Sequence, residues 1–349
     1  MKPGVGIVRD DRFLEHETGL IHPENPNRLL AIHRMLDAEF TSGLILLRPE
    51  PATIDQIELV HTPAYVEKVL ATAEYDFTHL APDTPASART YLAAWLAVGG
   101  CLQALDALLE GRCSSCFAFI RPPGHHALSD RASGFCVFNN LGVTARQALR
   151  KYGLKRILIV DWDVHHGNGL QQMFYEEKEV LYFSSHYLGS FPQTGDWEEA
   201  GAGPGLGYTV NLPLPKNTRD EDILHCYREI VGPIVRRYHP QLILVAAGFD
   251  AHVNDPLSRT SLTANGFGRL TRLLLDLAAE IDPSPLLLAL EGGYDTLSLV
   301  ESIREVLKAL IQAEPGTKVP PSDTTLGQAL VSRAVEVHAR YGVWVGGDS

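Results

Sequence analysis

Cysteine is scarce in this chain, and an odd count of five, Cys101, Cys113, Cys116, Cys136 and Cys226, builds no disulfide framework. A reducing compartment suits it. Cys113-Ser114-Ser115-Cys116 has CxxC spacing, but no second pair completes a zinc ribbon and no helix start follows, so packing is favoured over redox or metal use. A basic excess is also missing. Thirty Lys and Arg stand against 42 Asp and Glu, a net charge of −12, which excludes nonspecific grip on a nucleic-acid backbone. The longest apolar runs, such as Leu242 to Ala247 and Leu286 to Leu290, fall far short of the roughly 20 residues that span a bilayer, so no membrane partner is expected. The N-terminus turns charged at Arg9-Asp10 before any signal-peptide core develops, which predicts a cytoplasmic protein. No repeat, low-complexity tract or Gly/Ser/Pro linker divides the chain, so one domain is expected over residues 1–349.

What the chain has is enough apolar residue, 45%, for a deep core, and a regular alternation of helical stretches with short apolar runs. Pro23 to Arg28 reads as a turn feeding an amphipathic stretch, Leu29 to Phe40, and Thr90 to Leu109 carries apolar residues at helical spacing up to Gly111. Five runs have strand length: Phe117 to Ile120, Ile157 to Val160, Val180 to Phe183, Leu242 to Val245 and Leu286 to Leu290, with Thr209 to Leu212 a weaker sixth. Continuous rather than alternating hydrophobicity marks strands buried on both faces. The fold class is therefore α/β, a central mostly parallel sheet flanked by helices.

Each of the five runs ends in residues that carry chemistry: Gly124-His125-His126, Asp161-Trp162-Asp163-Val164-His165, Ser184-Ser185-His186, Gly248-Phe249-Asp250 and Glu291-Gly292-Gly293-Tyr294. Ligands of parallel sheets bind beyond the carboxyl ends of the strands, so these tails should meet in one crevice. Asp163 and His165 lie two apart, on one side of an extended segment, and can reach one metal ion together. Asp250, ending a wholly apolar strand, is the natural third ligand. Two carboxylates and an imidazole leave open positions, as catalytic Zn2+ requires, and Fe2+ fits the same set. The bland alternatives are a helix cap at Asp163 and an Asx-turn at Asp250. His125 and His126 diverge too much to share a metal and read as acid/base groups, with Asp161 and Asn168 placed to accept their rear ring protons. His186 and His252 read as hydrogen-bonded core histidines. Tyr294, behind two glycines, could donate to an oxygen that turns negative.

With His22-Pro23-Glu24-Asn25-Pro26-Asn27-Arg28, Arg121 to Ala127, Gly134-Phe135-Cys136, Asp161 to Gly169, Phe191 to Asp196, Ala247 to Ala251 and Leu290 to Tyr294 in order, the chain resembles the histone deacetylase and acetylpolyamine amidohydrolase superfamily, with its arginase-deacetylase fold. Asp-Trp-Asp-Val-His-His-Gly-Asn-Gly and Leu-Glu-Gly-Gly-Tyr are most similar to its class II and bacterial deacetylase-like branch. The resemblance implies zinc on Asp163, His165 and Asp250, His126 as general base and acid, His125 as its electrostatic partner bonded to Asp161, and Tyr294 polarising the acyl carbonyl. It further implies that Phe135, next to Gly134, and Phe191 wall a narrow tunnel, and that Arg28 stands near an acetate exit. Asp161, Asp163, His165 and Ser184 match a potassium site, and Asp83 matches a rim carboxylate that holds substrate backbone.

The reaction so implied is hydrolysis of an N-acyl amide, with acetyl-lysine or an acetylated polyamine as substrate. Leu257 stands where polyamine-selective relatives carry a glutamate, which favours acyl-lysine. The arginase side of the fold, with two manganese ions, lacks its second Asp-x-His-x-Asp set here. A noncatalytic acyl-lysine binding module would have lost the tyrosine or a histidine, and both are present.

Overall fold

Continuous apolar runs form the middle of the sheet. A computed structural model of the protein describes residues 3–19, 21–281, 284–312 and 324–345. Its strands are β1 (Val5–Val8), β2 (Leu44–Leu47), β3 (Phe77–Ala81), β4 (Thr84–Ser87), β5 (Ser115–Ala118), β6 (Ile157–Asp161), β7 (Val180–Tyr187), β8 (Thr209–Leu214), β9 (Leu242–Ala247) and β10 (Leu286–Leu290). Eight of them form one sheet in the order β2-β1-β5-β10-β9-β6-β7-β8, and every pairing in it is parallel. Strands β5, β6, β9 and β10 are buried along their whole length, which requires cover on both faces. Helices supply it. Thr90–Leu109 packs on Asn140–Tyr152, and Ala264–Ala279 on Thr296–Ile311.

The pattern misplaces several boundaries. The run beginning at Phe117 pairs two residues earlier, over Ser115–Ala118, because that is the length β1 and β10 can match; Phe119 then makes one last backbone bond to Val8. Ser184, Ser185 and His186 lie inside β7, paired with Asn211, Leu212 and Pro213 of β8, rather than in a tail. The turn expected over Pro23 to Arg28 is half helix: Asn25 accepts from the Asn27 N–H, Pro26 takes the first helical position, and Arg28 sits in the first turn of Pro26–Glu39. Strand β2, Leu44–Leu47, meets the apolar-run criterion but is not among the strands expected, whereas β1, interrupted by Gly6, escapes it. So does the β3/β4 hairpin, an antiparallel pair outside the main sheet whose turn carries Asp83. The helix Thr90–Leu109 is long and apolar enough to cross a bilayer by composition alone, yet most of it is buried inside the fold as a core helix.

Strands β5, β10, β9, β6 and β7 are neighbours in the sheet, and their carboxyl ends open on the same side because all run parallel. Topology thus brings together residues spread from His125 to Tyr294. All five cysteines are buried free thiols. The Cys113 and Cys116 sulfurs pack against β1, where a Cβ on Gly6 would lie within 2.8 Å of both.

Candidate active site

Asp163, His165 and Asp250 converge beyond β6 and β9, with one ligand atom from each lying within 4.8 Å of the others, all buried. His165 Nδ1 stands 3.1 Å from Asp163 Oδ1 and 3.0 Å from Asp250 Oδ2. Neither bland reading describes these carboxylates. The helix after the motif starts at Asn168 behind Gly167, so Asp163 does not cap it; Asp163 Oδ2 instead accepts from the Gly292 N–H at 2.9 Å. Asp250 Oδ1 reaches across to the Val164 N–H at 2.9 Å. Glycines make the room. A Cβ on Gly292 would stand 2.7 Å from Asp163 Oδ2 and closer still to Asp250 Oδ2, and one on Gly248 would press on the Asp163 carboxylate. Two buried carboxylates and an imidazole in a glycine cradle suit a divalent cation, since buried anions need a positive partner.

The adjacent histidines face different partners. His125 Nδ1 lies 3.1 Å from Asp161 Oδ2, which also accepts from the Tyr182 hydroxyl at 3.0 Å. His126 Nδ1 lies 2.8 Å from the neutral amide oxygen of Asn168. Burial works against charge on both rings, but at His125 the carboxylates of Asp163 and Asp161 outweigh it and push the imidazole up to about 10. At His126 burial acts together with the charges of His125 and His165, and the ring is held well below the ordinary range. The pair therefore divides into a cation held by a carboxylate and a neutral imidazole held by an amide.

Tyr294 closes the opposite side of the site. Gly293 before it has φ +118, and a Cβ there would strike Leu299 and Phe249 at 2.9 and 3.0 Å, so only glycine fits. The Tyr294 N–H donates to Asp255 Oδ2 at 2.6 Å, while its hydroxyl has no hydrogen-bond partner among the described residues. A cavity of about 510 Å3 contains His126, His165 and Tyr294 and is lined further by Phe135, Phe191, Gly134, Asp83 and Leu257. Phe135 meets Tyr294 edge-on at 5.8 Å and Phe191 meets His126 edge-on at 4.9 Å. Gly134 is required between them, because a Cβ would come within 2.7 Å of Phe191.

A family model described as the histone deacetylase domain matches residues 22–310. The chain belongs to the histone deacetylase family. It is similar to a probable deacetylase of Archaeoglobus fulgidus, 39% identical over 83% of this chain and 81% of that one. Histone deacetylase 15 of Arabidopsis thaliana is 37% identical over 90% of this chain, which spans only 58% of that longer protein. The crystal structure of the HDA15 HD domain superposes with a TM-score of 0.89 at 33% identity, covering 99% of this chain and 96% of that one. The fold is thus that of a hydrolytic deacetylase family.

Within this histone deacetylase fold, the other expected site residues take the following places. Arg28 does not line the cavity. It is buried behind Tyr294, its Cζ 5.0 Å from the ring centre, and donates to Gly293 O and Glu291 O at 2.6 Å each and to Glu24 at 3.1 Å. Asp83 lines the mouth, but its Oδ2 accepts from the Gly134 N–H at 3.1 Å, so it also fixes the loop that carries Phe135. Ser184 pairs with Asp161 across β6 and β7, its hydroxyl 2.9 Å from His186 Nδ1. His186 is a hydrogen-bonded core histidine, bridging Ser184 and Gly195 O. Sequence reasoning missed the residues that hold backbone. Glu291 Oε2 accepts from the Gly124 and His125 N–H groups at 2.7 and 3.2 Å, pinning the histidine loop to the end of β10. Asp255 does the same for Tyr294 and Asp295. Glu24 holds Arg28 and Arg121 in a fully buried cluster. A carboxylate closing a wholly apolar strand, as Glu291 does, was the available signal.

Proposed function

We propose that this chain hydrolyses Nε-acyl-lysine amides, releasing a carboxylate and the free lysine amine, with a zinc ion held by Asp163, His165 and Asp250; Fe2+ suits the same donors. The observation that carries this reading is the convergence of those three buried donors, with His165 itself lining the cavity that also holds His126 and the uncommitted Tyr294 hydroxyl. A bound Zn2+ would supply a Lewis acid and lower the pKa of a coordinated water towards about 7.

The side chains divide the remaining work. Phe135 and Phe191 flank the aliphatic stem of the acyl-lysine and leave its amide at the base of the cavity. Tyr294 donates to the carbonyl oxygen as negative charge develops there. His126, kept neutral beside Asn168, takes a proton from the attacking water and returns it to the departing amine. His125 stays charged against Asp161 and steadies the anionic transition state. Arg28, Glu291 and Asp255 hold the loops on which Tyr294 and the histidines ride. Asp161 and Ser184, side by side on β6 and β7, are the side chains that would face a potassium ion.

An acetylated polyamine offers the same amide, but its second ammonium group needs a carboxylate near the mouth, where Leu257 is apolar and Asp83 is engaged by Gly134. The test is metal analysis of the purified chain followed by parallel turnover of an acetyl-lysine peptide, acetylputrescine and acetylspermidine. One equivalent of metal and preferential turnover of the peptide is the expected result. Preference for acetylspermidine would establish the polyamine reading instead, and binding of the peptide without turnover would mark a noncatalytic reader.

A further inference from the structure

Arg259 reaches the mouth of the same cavity, two residues beyond Leu257. It is the one Lys or Arg among the cavity-lining residues, in a chain whose net charge is −12. Several surface arginines are matched, Arg89 with Glu15, Arg236 with Glu280, Arg304 with Glu39 and Arg333 with Glu198, and exposed ones without an ion pair, such as Arg156, do not line the cavity. Arg259 is exposed and has no carboxylate partner among the described residues. Its Nη1 donates to Ser258 O at 2.7 Å, which leaves most of its five N–H donors to the cavity and solvent. The segment beneath it is tied down on both sides. The Arg259 carbonyl accepts from the Asn217 N–H at 2.9 Å, Thr260 Oγ1 donates to Ala251 O at 2.7 Å, and the Ser261 N–H donates to Thr218 O at 2.8 Å. A fixed backbone lowers the ordering cost of using such a group for binding.

We infer that Arg259 forms an anion subsite at the tunnel mouth, so that the favoured substrate is an acyl-lysine with a carboxylate close to its acylated side chain. This rests on the acyl-lysine reading and narrows it. A planar guanidinium with free parallel donors matches a carboxylate bidentately. Two sources present that chemistry, an acidic residue next to the acyl-lysine and the α-carboxylate of a chain-terminal one. The same group repels the distal ammonium of a polyamine.

The experiment measures kcat/KM of the metal-loaded full chain, as wild type, Arg259→Ala and Arg259→Glu, in low and high salt. Substrates are end-capped acetyl-lysine tripeptides with Glu, Gln or Lys beside the acetyl-lysine, a peptide ending in acetyl-lysine with a free or amidated C-terminus, and acetylspermidine. Wild type should prefer Glu over Gln, or the free carboxylate over the amide, by about two- to fivefold at low salt, the range of an exposed ion pair. The difference should sit in KM and shrink in high salt. Which pair of substrates shows it identifies the source. In Arg259→Ala the ratio should fall to about one, and in Arg259→Glu the Lys peptide should lead, with acetylspermidine improved. A wild type indifferent to all these charges, or an Arg259→Ala variant with the preference intact, overturns the subsite while the acyl-lysine reading stands. Turnover of acetylspermidine alone overturns both.

Discussion

Replacing Gly292 with alanine should weaken metal binding sharply while leaving the fold in place. Gly292 does not occupy the left-handed region, so its backbone accepts a side chain. The added methyl is the whole perturbation. It would stand 2.7 Å from Asp163 Oδ2 and nearer to Asp250 Oδ2, where ordinary carbon contacts begin at about 3.4 Å, so both carboxylates must retreat. Disturbing groups that merely orient metal ligands costs about 10- to 100-fold in affinity, and here two ligands are displaced directly by up to roughly 1 Å, a shift that can itself cost on the order of 100-fold in rate. A loss of Zn2+ affinity of about 100-fold or more is expected. Chelator competition measures it, with circular dichroism and a urea midpoint to establish that the variant is folded. Gly232→Ala is the control, because its new methyl meets the flexible end of Arg236 at 3.2 Å and Leu277 at an ordinary contact distance of 3.6 Å. A folded Gly292→Ala with wild-type Zn2+ affinity would refute the placement of the ion between these carboxylates.

Tyr294→Phe should retain the metal and lose about 10²- to 10³-fold in kcat, the usual cost of one oxyanion donor, and an unchanged kcat would remove the tyrosine from the chemistry. Glu24→Gln leaves Arg28 and Arg121 buried against a neutral partner and should destabilise the protein by about 3–5 kcal/mol in urea unfolding; a change below about 1 kcal/mol would show that the cluster is dispensable. Burial pushes His16 down to about 3 and His61 and His338 down to about 4. Because these folded-state values lie below the unfolded one, their contribution is complete above about pH 6.5 and is lost as pH falls towards 4, so the urea midpoint should be lower at pH 5 than at pH 7.5. An equal or higher midpoint at pH 5 would contradict it.

Much of the architecture was legible because buried parallel strands have no solvent face. Ile157 to Val160, Leu242 to Val245 and Leu286 to Leu290 stand out as apolar runs for that reason. Strand β2 carries the same apolar mark, Leu44–Leu47, although at the sheet edge its Ile45 and Leu46 are exposed, so the mark alone does not tell an edge strand from a central one, and β1 is interrupted by a glycine that its cysteine neighbours require. The chemistry at the strand ends was legible because a carboxylate or imidazole after a wholly apolar run is costly unless used. What stayed hidden is the scaffolding between distant segments. Nothing near Asp255 announces that its carboxylate will hold the Tyr294 N–H, and nothing near Glu24 announces Arg121, nearly a hundred residues away. Arg28 was legible as an important residue, but its position behind the phenol depends on bonds to Glu291 and Gly293 that only the assembled sheet creates.

The order of the strands has a consequence for assembly. β10, the last strand in chain order among the described residues, occupies the middle of the sheet between β5 and β9. Without residues 286–290 the sheet divides into β2-β1-β5 and β9-β6-β7-β8, whose inner edges on β5 and β9 have no partner. Such edges invite intermolecular pairing. Insertion of one five-residue segment seals the seam and brings Glu291, Gly292 and Tyr294 to the histidines and carboxylates, so that assembly of the candidate site is tied to closure of the sheet.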